Sequence, residues 1–174
     1  MLKRALYPIA IALFVSLAAA CEKEGDSDSS SGSGPGGAKV GNIATANELS
    51  LASQVLVLVN QERANNGGLP PLSNNAAMAQ VAYDHSWDMQ ARSFFSHTNP
   101  GGADPFDRLA FANIAYSSAG ENIAQGYATP NDVMAAWMAS SGHRANILGA
   151  YSEIGIGVRE GPGGPWWTQV FRQP

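Results

Sequence analysis

Apolar residues recur at helical spacing in two long stretches of the first half of the sequence. Residues 45–48, Thr-Ala-Asn-Glu, form a capping box, in which a hydroxyl and a carboxylate each satisfy an amide at the start of a helix. Asn-Gly-Gly at 66–68 is typical of the end of that helix. The pattern then predicts a second helix over about 75–93, with His85 on its apolar stripe.

Two shorter helices follow, each announced by a cap residue and a proline. Asp-Pro at 104–105 and Thr-Pro at 129–130 place proline at the first helical position, where its missing N–H costs nothing. We therefore expect helices over about 105–112 and 132–140.

The end of the chain has the pattern of paired strands. Residues 154–158 and 166–171 are rich in branched and aromatic side chains, and the Gly-Pro-Gly-Gly-Pro segment between them is a turn by composition. They should pair as an antiparallel hairpin, with residues 122–124 as a candidate third strand. Helices first and a hairpin last predict an α+β or layered α/β/α domain.

The first 21 residues have the layout of a bacterial lipoprotein signal peptide. Lys3 and Arg4 precede an uncharged stretch over 5–20 that is shorter than the roughly 20 apolar residues of a spanning helix, and Ala-Ala-Ala leads into Cys21. The pattern predicts cleavage before Cys21 and attachment of lipid to it, which would anchor the protein to a membrane. The alternative is an uncleaved anchor in which Cys21 is only a small residue.

The segment after Cys21 is dominated by Gly, Ser and Asp, so it should be a flexible tether. The predicted organisation is a signal peptide over 1–20, a lipidated cysteine and tether over 21–44, and one domain over 45–174. Cys21 is the only cysteine, so no disulfide can form within the chain. The net charge of −4 gives no indication of the basic face that nucleic-acid binding needs. We expect a monomer in the bacterial cell envelope, outside the cytoplasm.

Three segments, around residues 97, 121 and 140–148, combine an ionisable side chain with residues typical of loops. They carry His97, Glu121 and His143. Two imidazoles and a carboxylate that converge could bind a divalent cation such as zinc or move protons near neutral pH. Their spacing matches no local zinc motif, so convergence does not follow from it. The sequence identifies no other cofactor.

Each candidate has a structural alternative. Glu121 could accept hydrogen bonds from loop amides, and His143 could begin a helix. His85 fits a hydrogen-bonded packing histidine better than a third ligand. Asn122 and Asn146 fit turn and cap residues better than ligands.

Taken together, the motifs resemble the bacterial branch of the CAP superfamily, which includes cysteine-rich secretory proteins, antigen 5 and pathogenesis-related 1 proteins and is also called the SCP domain. The resemblance runs from about residue 51 to residue 171 and is carried by FFSHTNP (94–100), PFDRL (105–109), GENIA (120–124), SGHRANIL (141–148) and GIGV (155–158). It implies a three-layer α/β/α sandwich with a central, mainly antiparallel sheet and a wide cleft.

In the family, two histidines and two acidic residues line that cleft and can hold a divalent cation. His97, Glu121 and His143 match three of these positions. At the fourth, three residues after Trp137, this chain has Ser140 instead of an acid. That departure puts tight metal binding in doubt.

Two functions compete. The first is a non-enzymatic binding module, displayed at the cell surface, whose cleft accepts a peptide, glycan or lipid-like ligand. The second is a peptidase-like hydrolase with His97 or His143 as base and Glu121 orienting it, since a nucleophile needs such a partner. The possible nucleophiles are Ser96, Ser140 and Ser141. A purely structural envelope protein is a third reading, and no residue is assigned a catalytic role.

Overall fold

The structure is a computed structural model that describes residues 42–174. The predicted signal peptide, Cys21 and the tether up to residue 41 lie outside the described residues, so the anchor stays a prediction. Within 42–174, no helix has both the length and the apolar character to cross a membrane.

Five helices form in the described part of the chain. They are α1 (Ala46–Asn65), α2 (Ala76–Ala91), α3 (Pro105–Phe111), α4 (Pro130–Ala139) and α5 (Ser141–Ile147). The capping box of α1 is present in full, because Thr45 and Glu48 each bind the other's backbone N–H. Helix α4 begins two residues earlier than predicted, since the Thr129 hydroxyl caps it and proline occupies the first turn.

A four-stranded sheet forms the middle layer. Its strands are β1 (Ser73–Asn74), β2 (Ser118–Gln125), β3 (Glu153–Arg159) and β4 (Trp166–Gln173), in the order β1-β3-β4-β2. Strand β4 pairs antiparallel with both neighbours, and only the two-residue β1 is parallel to its partner β3. The predicted hairpin and third strand are therefore confirmed, as is the mainly antiparallel sheet.

Helices cover both faces of this sheet, which gives the predicted α/β/α sandwich. On one face Val55 and Val59 of α1 and Trp137 of α4 pack with Trp167 of β4. On the other face Met78 and Ala82 of α2 meet Val170, and Met89 meets Trp166. Successive strand residues point to opposite faces, so both tryptophans are buried, one in each layer.

Helix α2 lies directly on the backbone of β3 because two glycines face it. A Cβ atom on Gly155 would come within 2.2 Å of the Met78 carbonyl carbon, and one on Gly157 within 2.1 Å of the Tyr83 nitrogen. No side chain fits there. This close approach fixes the distance between α2 and the sheet. It thereby helps to position the loop after α2, which carries His97.

Residues 140–148, expected to have the character of a loop, instead include the helix α5. Ser140 ends α4 with extended backbone and α5 starts at the next residue. The alternative interpretation of His143, as a residue near a helix start, therefore matches the structure.

Candidate functional site

The site is centred on Glu121, a buried carboxylate in the middle of β2. Its Oε1 lies 2.8 Å from Nδ1 of His97, and its side chain is 1% exposed whereas that of His97 is 50% exposed. His97 stands on the loop between α2 and α3. An ionised carboxylate only accepts hydrogen bonds, so Nδ1 of His97 carries the proton and Nε2 keeps its lone pair.

Arg108 on α3 completes the group, and sequence reasoning did not single it out. Its Nη2 donates to Oε2 of Glu121 over 2.6 Å, and its Nη1 donates to the carbonyl of His97 over 2.9 Å. One guanidinium thus holds both the carboxylate and the loop that carries the imidazole. The only sequence signal was its place one turn into a capped helix, within a motif that the family resemblance already included.

His143 projects from α5 into the same cleft. Burial lowers the pKa of His143, and the proximity of the His97 imidazole lowers it further. Glu121 and both histidines are thus brought into one region, although Glu121 contacts only His97 of the two.

A buried amide network holds α5 against β2. Asn122 donates to the carbonyl of His143 over 3.1 Å, and Asn146 donates to Oδ1 of Asn122 over 2.9 Å and to the carbonyl of Glu121 over 3.1 Å. Neither asparagine is a turn or cap residue, contrary to the prediction, because one lies in a strand and the other within a helix. Their amides position His143 relative to Glu121.

His85 lies behind the site, fully buried on α2. Its Nε2 donates to the carbonyl of Ser96 over 3.0 Å and lies 4.0 Å from Oε1 of Glu121. Burial lowers the pKa of His85 to about 4, which outweighs the attraction of Glu121 for a proton. His85 is thus the hydrogen-bonded packing histidine that its apolar surroundings predicted, and it tethers the residue before His97.

A cleft of about 650 Å³ opens in front of the two imidazoles. Its described lining contains no lysine, arginine, aspartate or glutamate, and most of it is apolar. The lining residues are Phe95, Ser96, His97, Ile123, Ala124, Gln125, Tyr127, Ala136, Trp137, Ser140 and His143. The cleft can therefore take an uncharged ligand that also accepts or donates hydrogen bonds at the imidazoles.

The side chains present do not form a metal-ligand set. Among residues 42–174, no group of three or more His, Cys, Asp or Glu side chains is arranged to hold a metal ion. Both oxygens of Glu121 are engaged, one by His97 and one by Arg108, and Ser140 lines the cleft at the position where the resemblance implies a second acid. A cation at His97, Glu121 and His143 would have to displace Arg108. The cation stays a prediction.

The candidate nucleophiles lack a base in this arrangement. The hydroxyl of Ser96 accepts a hydrogen bond from the Thr98 amide. Across the hydrogen bonds of the described residues, none joins Ser96, Ser140 or Ser141 to the ring of His97 or His143. What the site does present is an oriented imidazole with a free Nε2.

Two known proteins are similar in sequence to this chain over 119 residues. A Bacillus subtilis protein described as uncharacterised, YkwD, is 42% identical over 119 residues, which is 68% of this chain and 45% of that protein. A Bacillus subtilis protein described as an uncharacterised membrane protein, YlbC, is 36% identical over 68% of this chain and 33% of its own length. The chain thus spans less than half the length of these two relatives.

Solved structures share the fold. An extracellular protein containing an SCP domain from Bacillus anthracis superposes with a TM-score of 0.69 at 30% identity, over 76% of this chain and 45% of that one. An outer surface protein from Borrelia burgdorferi gives a TM-score of 0.66 at 18% identity, over 75% and 96%, which supports the fold alone. The family model described as CAP, cysteine-rich secretory protein family, matches residues 56–171. This chain belongs to the CAP family.

Proposed function

We propose that this protein is a ligand-binding module of the cell envelope, and that its ligand sits in the cleft in front of His97 and His143. The observation that carries the proposal is the Arg108–Glu121–His97 chain of hydrogen bonds at 2.6 and 2.8 Å. It fixes one imidazole at the mouth of a cleft whose walls are otherwise uncharged.

Binding follows from the chemistry of this arrangement. Nε2 of His97 accepts a hydrogen bond from a ligand O–H or N–H, because Nδ1 is held as the donor to Glu121. The apolar walls, among them Ile123, Ala136 and Trp137, exclude water and contribute through burial of the ligand's carbon surface. Arg108 neutralises Glu121, so the buried carboxylate does not repel an electron-rich ligand.

Display at the cell surface is the second part of the proposal. The domain is carried by lipid on Cys21 and the tether that follows, as a monomer. The relatives described as extracellular and as a membrane protein are consistent with this place. Labelling cells with a fatty acid analogue tests it: the wild type should take up label and Cys21→Ser should not, whereas label in the variant would contradict the anchor.

The binding test uses the imidazole signals of His97 and His143 in nuclear magnetic resonance. Uncharged saccharides, capped peptides and phospholipid vesicles are titrated separately. At least one should shift both signals saturably, and His97→Ala should weaken that ligand about tenfold or more. A matched change at an exposed site away from the cleft, Phe111→Ala, should leave binding intact. No saturable shift with any probe would contradict the proposal.

A hydrolase is the second candidate, and one observation favours it. The His97–Glu121 pair has the distance of a general base and its orienting carboxylate. Because no described serine bonds to the imidazole, the nucleophile would be water. The titration separates the two functions, since a binding module returns each probe intact and a hydrolase produces fragments visible by mass spectrometry.

A further inference from the structure

A second cleft, of about 580 Å³, lies beside the first and shares two of its lining residues, Phe95 and Gln125. The proposed function makes no use of it. Its lining residues are Gln90, Ser93, Phe94, Phe95, Gln125, Pro162, Gly163 and Trp166. The shared residues make the two clefts neighbours along one groove, and Phe95 is the ridge between them.

Phe95 is exposed but held in place. The residue is 52% exposed, yet its ring centroid lies 6.3 Å from that of Trp166, with an angle of 52° between the ring planes. A single exposed aromatic ring is ordinary at a protein surface, but one that lines a cleft adds apolar surface that a ligand can cover. A ring that is both exposed and supported can serve as a platform for a ligand.

The polar groups of the second cleft are neutral amides, oriented by hydrogen bonds of their own. Oε1 of Gln90 accepts from Nε of Arg159 over 3.2 Å, which leaves its amide N–H groups as donors. Nε2 of Gln125 donates to the carbonyl of Gly163 over 3.3 Å, which leaves its oxygen as an acceptor. The lining of this cleft includes no charged side chain. The nearby cations are already paired: Arg92, which lies over the Phe94 ring, bonds to Asp88, and Arg159 bonds to Glu48.

We propose that the ligand is an extended, uncharged oligosaccharide that spans both clefts, with one sugar ring over Phe95. The inference rests on the proposed function and names its ligand class. The C–H face of a pyranose packs on the negative face of an aromatic ring, and its hydroxyl and amide substituents match the glutamine side chains and the imidazoles.

An extended peptide fits this groove less well. A peptide would add to the edge strand β2 through backbone hydrogen bonds. Two carbonyls of that edge are already used, because Asn146 donates to Glu121 over 3.1 Å and the indole of Trp137 donates to Ile123 over 3.4 Å. Such side-chain cover is a usual way to block an edge from pairing.

The experiment is calorimetric titration of the protein with uncharged dimers and hexamers of three chain types: chitin, cellulose and amylose. At least one hexamer should bind about tenfold or more tightly than its dimer, because only the longer chain reaches the second cleft. Phe95→Ala should weaken the hexamer about tenfold. Gln90→Ala, which touches only the second cleft, should bring the hexamer towards the affinity of the dimer and leave the dimer unchanged.

Phe111→Ala is the matched control, since Phe111 is also an exposed phenylalanine and lines neither cleft. Equal affinity of hexamer and dimer, or equal losses in Phe95→Ala and Phe111→Ala, would overturn the inference. Capped uncharged peptides and phospholipid vesicles are titrated in parallel. If one of them shifts the His97 signal while the sugars do not, the oligosaccharide inference is contradicted and the proposed binding function is retained. If no probe shifts the His97 signal, the proposed function is contradicted as well.

Discussion

Two glutamates are buried in this domain to the same degree, and they serve different purposes. The side chains of Glu48 on α1 and Glu121 on β2 are each 1% exposed, and each meets an arginine. Around Glu48, Oε2 accepts from the Thr45 amide and the Tyr83 hydroxyl, and Oε1 accepts from the Glu160 amide and from Arg159. Three of these four partners, the two amides and the guanidinium, can only donate, whereas the tyrosine hydroxyl can also accept.

Glu121 has fewer partners, and one of them can change. Oε2 accepts from Arg108, but Oε1 accepts from an imidazole, whose two nitrogens exchange donor and acceptor roles by moving one proton. The Glu48 cluster is therefore a fixed set of hydrogen bonds that joins the start of α1 to the end of β3. The Glu121 cluster is adjustable, and its adjustable member is the half-exposed residue at the cleft.

The largest effect on the unfolding free energy should come from disrupting the Glu48 cluster. Glu48→Gln keeps the shape but turns one oxygen into an N–H₂ group, which must face at least one fixed donor whichever way the amide lies. Unsatisfied buried donors and the lost partner of Arg159 should cost about 3 to 4 kcal/mol of unfolding free energy. Urea denaturation measures it. A loss below about 1 kcal/mol would mean that the cluster adapts as readily as Glu121.

Burial raises the pKa of Glu48, but the hydrogen bonds from Thr45 and Glu160 outweigh it and leave the pKa below its ordinary value. The stabilisation from this carboxylate is therefore present above its unfolded pKa and is lost as the pH falls through the folded one. This loss therefore begins near the ordinary glutamate pKa of 4.5 and continues below it.

The second effect separates the clusters by pH. Burial lowers the pKa of His85, behind Glu121, from 6.5 to about 4, so the folded state resists a proton that the unfolded state accepts. The contribution of neutral His85 to the unfolding free energy is then present in full above about pH 6.5, and it is lost as the pH drops from there to about 4. The shift corresponds to roughly 3 kcal/mol.

His85→Gln supplies the comparison, because its Nε2 can still donate to the carbonyl of Ser96. From pH 7 to pH 4 the wild type should lose roughly 3 kcal/mol more stability than the variant. Thermal or urea unfolding at several pH values gives both curves. Parallel curves would show that His85 takes up its proton in the folded state as easily as in the unfolded one.

The same contrast explains what the sequence could and could not predict. The Glu48 cluster begins as a local motif, and the capping box of residues 45–48 was predicted because its partners are three residues apart. Periodicity likewise gave α1, α2 and the hairpin. The rest of that cluster, Tyr83 and Glu160, is distant in sequence, and no pattern pointed to it.

The site was predicted in its residue types but not in its connections. Loop character and family resemblance identified His97, Glu121 and His143, yet the structure joins Glu121 to His97 and Arg108, with His143 held by Asn122. An arginine within a short helix looks the same in sequence whether it faces solvent or a buried carboxylate. Only the packing of α3 against β2 decides it.

The smallest effect on stability should come from Glu121→Gln, and it should carry the clearest signature. The glutamine oxygen can still accept from Arg108, and its amide group can donate to Nδ1 of His97 once that imidazole moves its proton to Nε2. Arg108 loses its charged partner, as Arg159 does in Glu48→Gln, but no donor faces a donor, so the cost should be about 2 kcal/mol, less than for Glu48→Gln. The ¹⁵N chemical shifts of the neutral ring should change from the Nδ1–H form to the Nε2–H form.

Glu153→Gln, on β3 beside Arg172, should leave the His97 tautomer unchanged. In the Glu121 variant Nε2 would become a donor, so a ligand that donates a hydrogen bond to His97 should bind more weakly while the fold remains intact. An unchanged tautomer would show that Glu121 does not set the proton on His97, and the comparison between a fixed and an adjustable carboxylate would fail at the cleft itself.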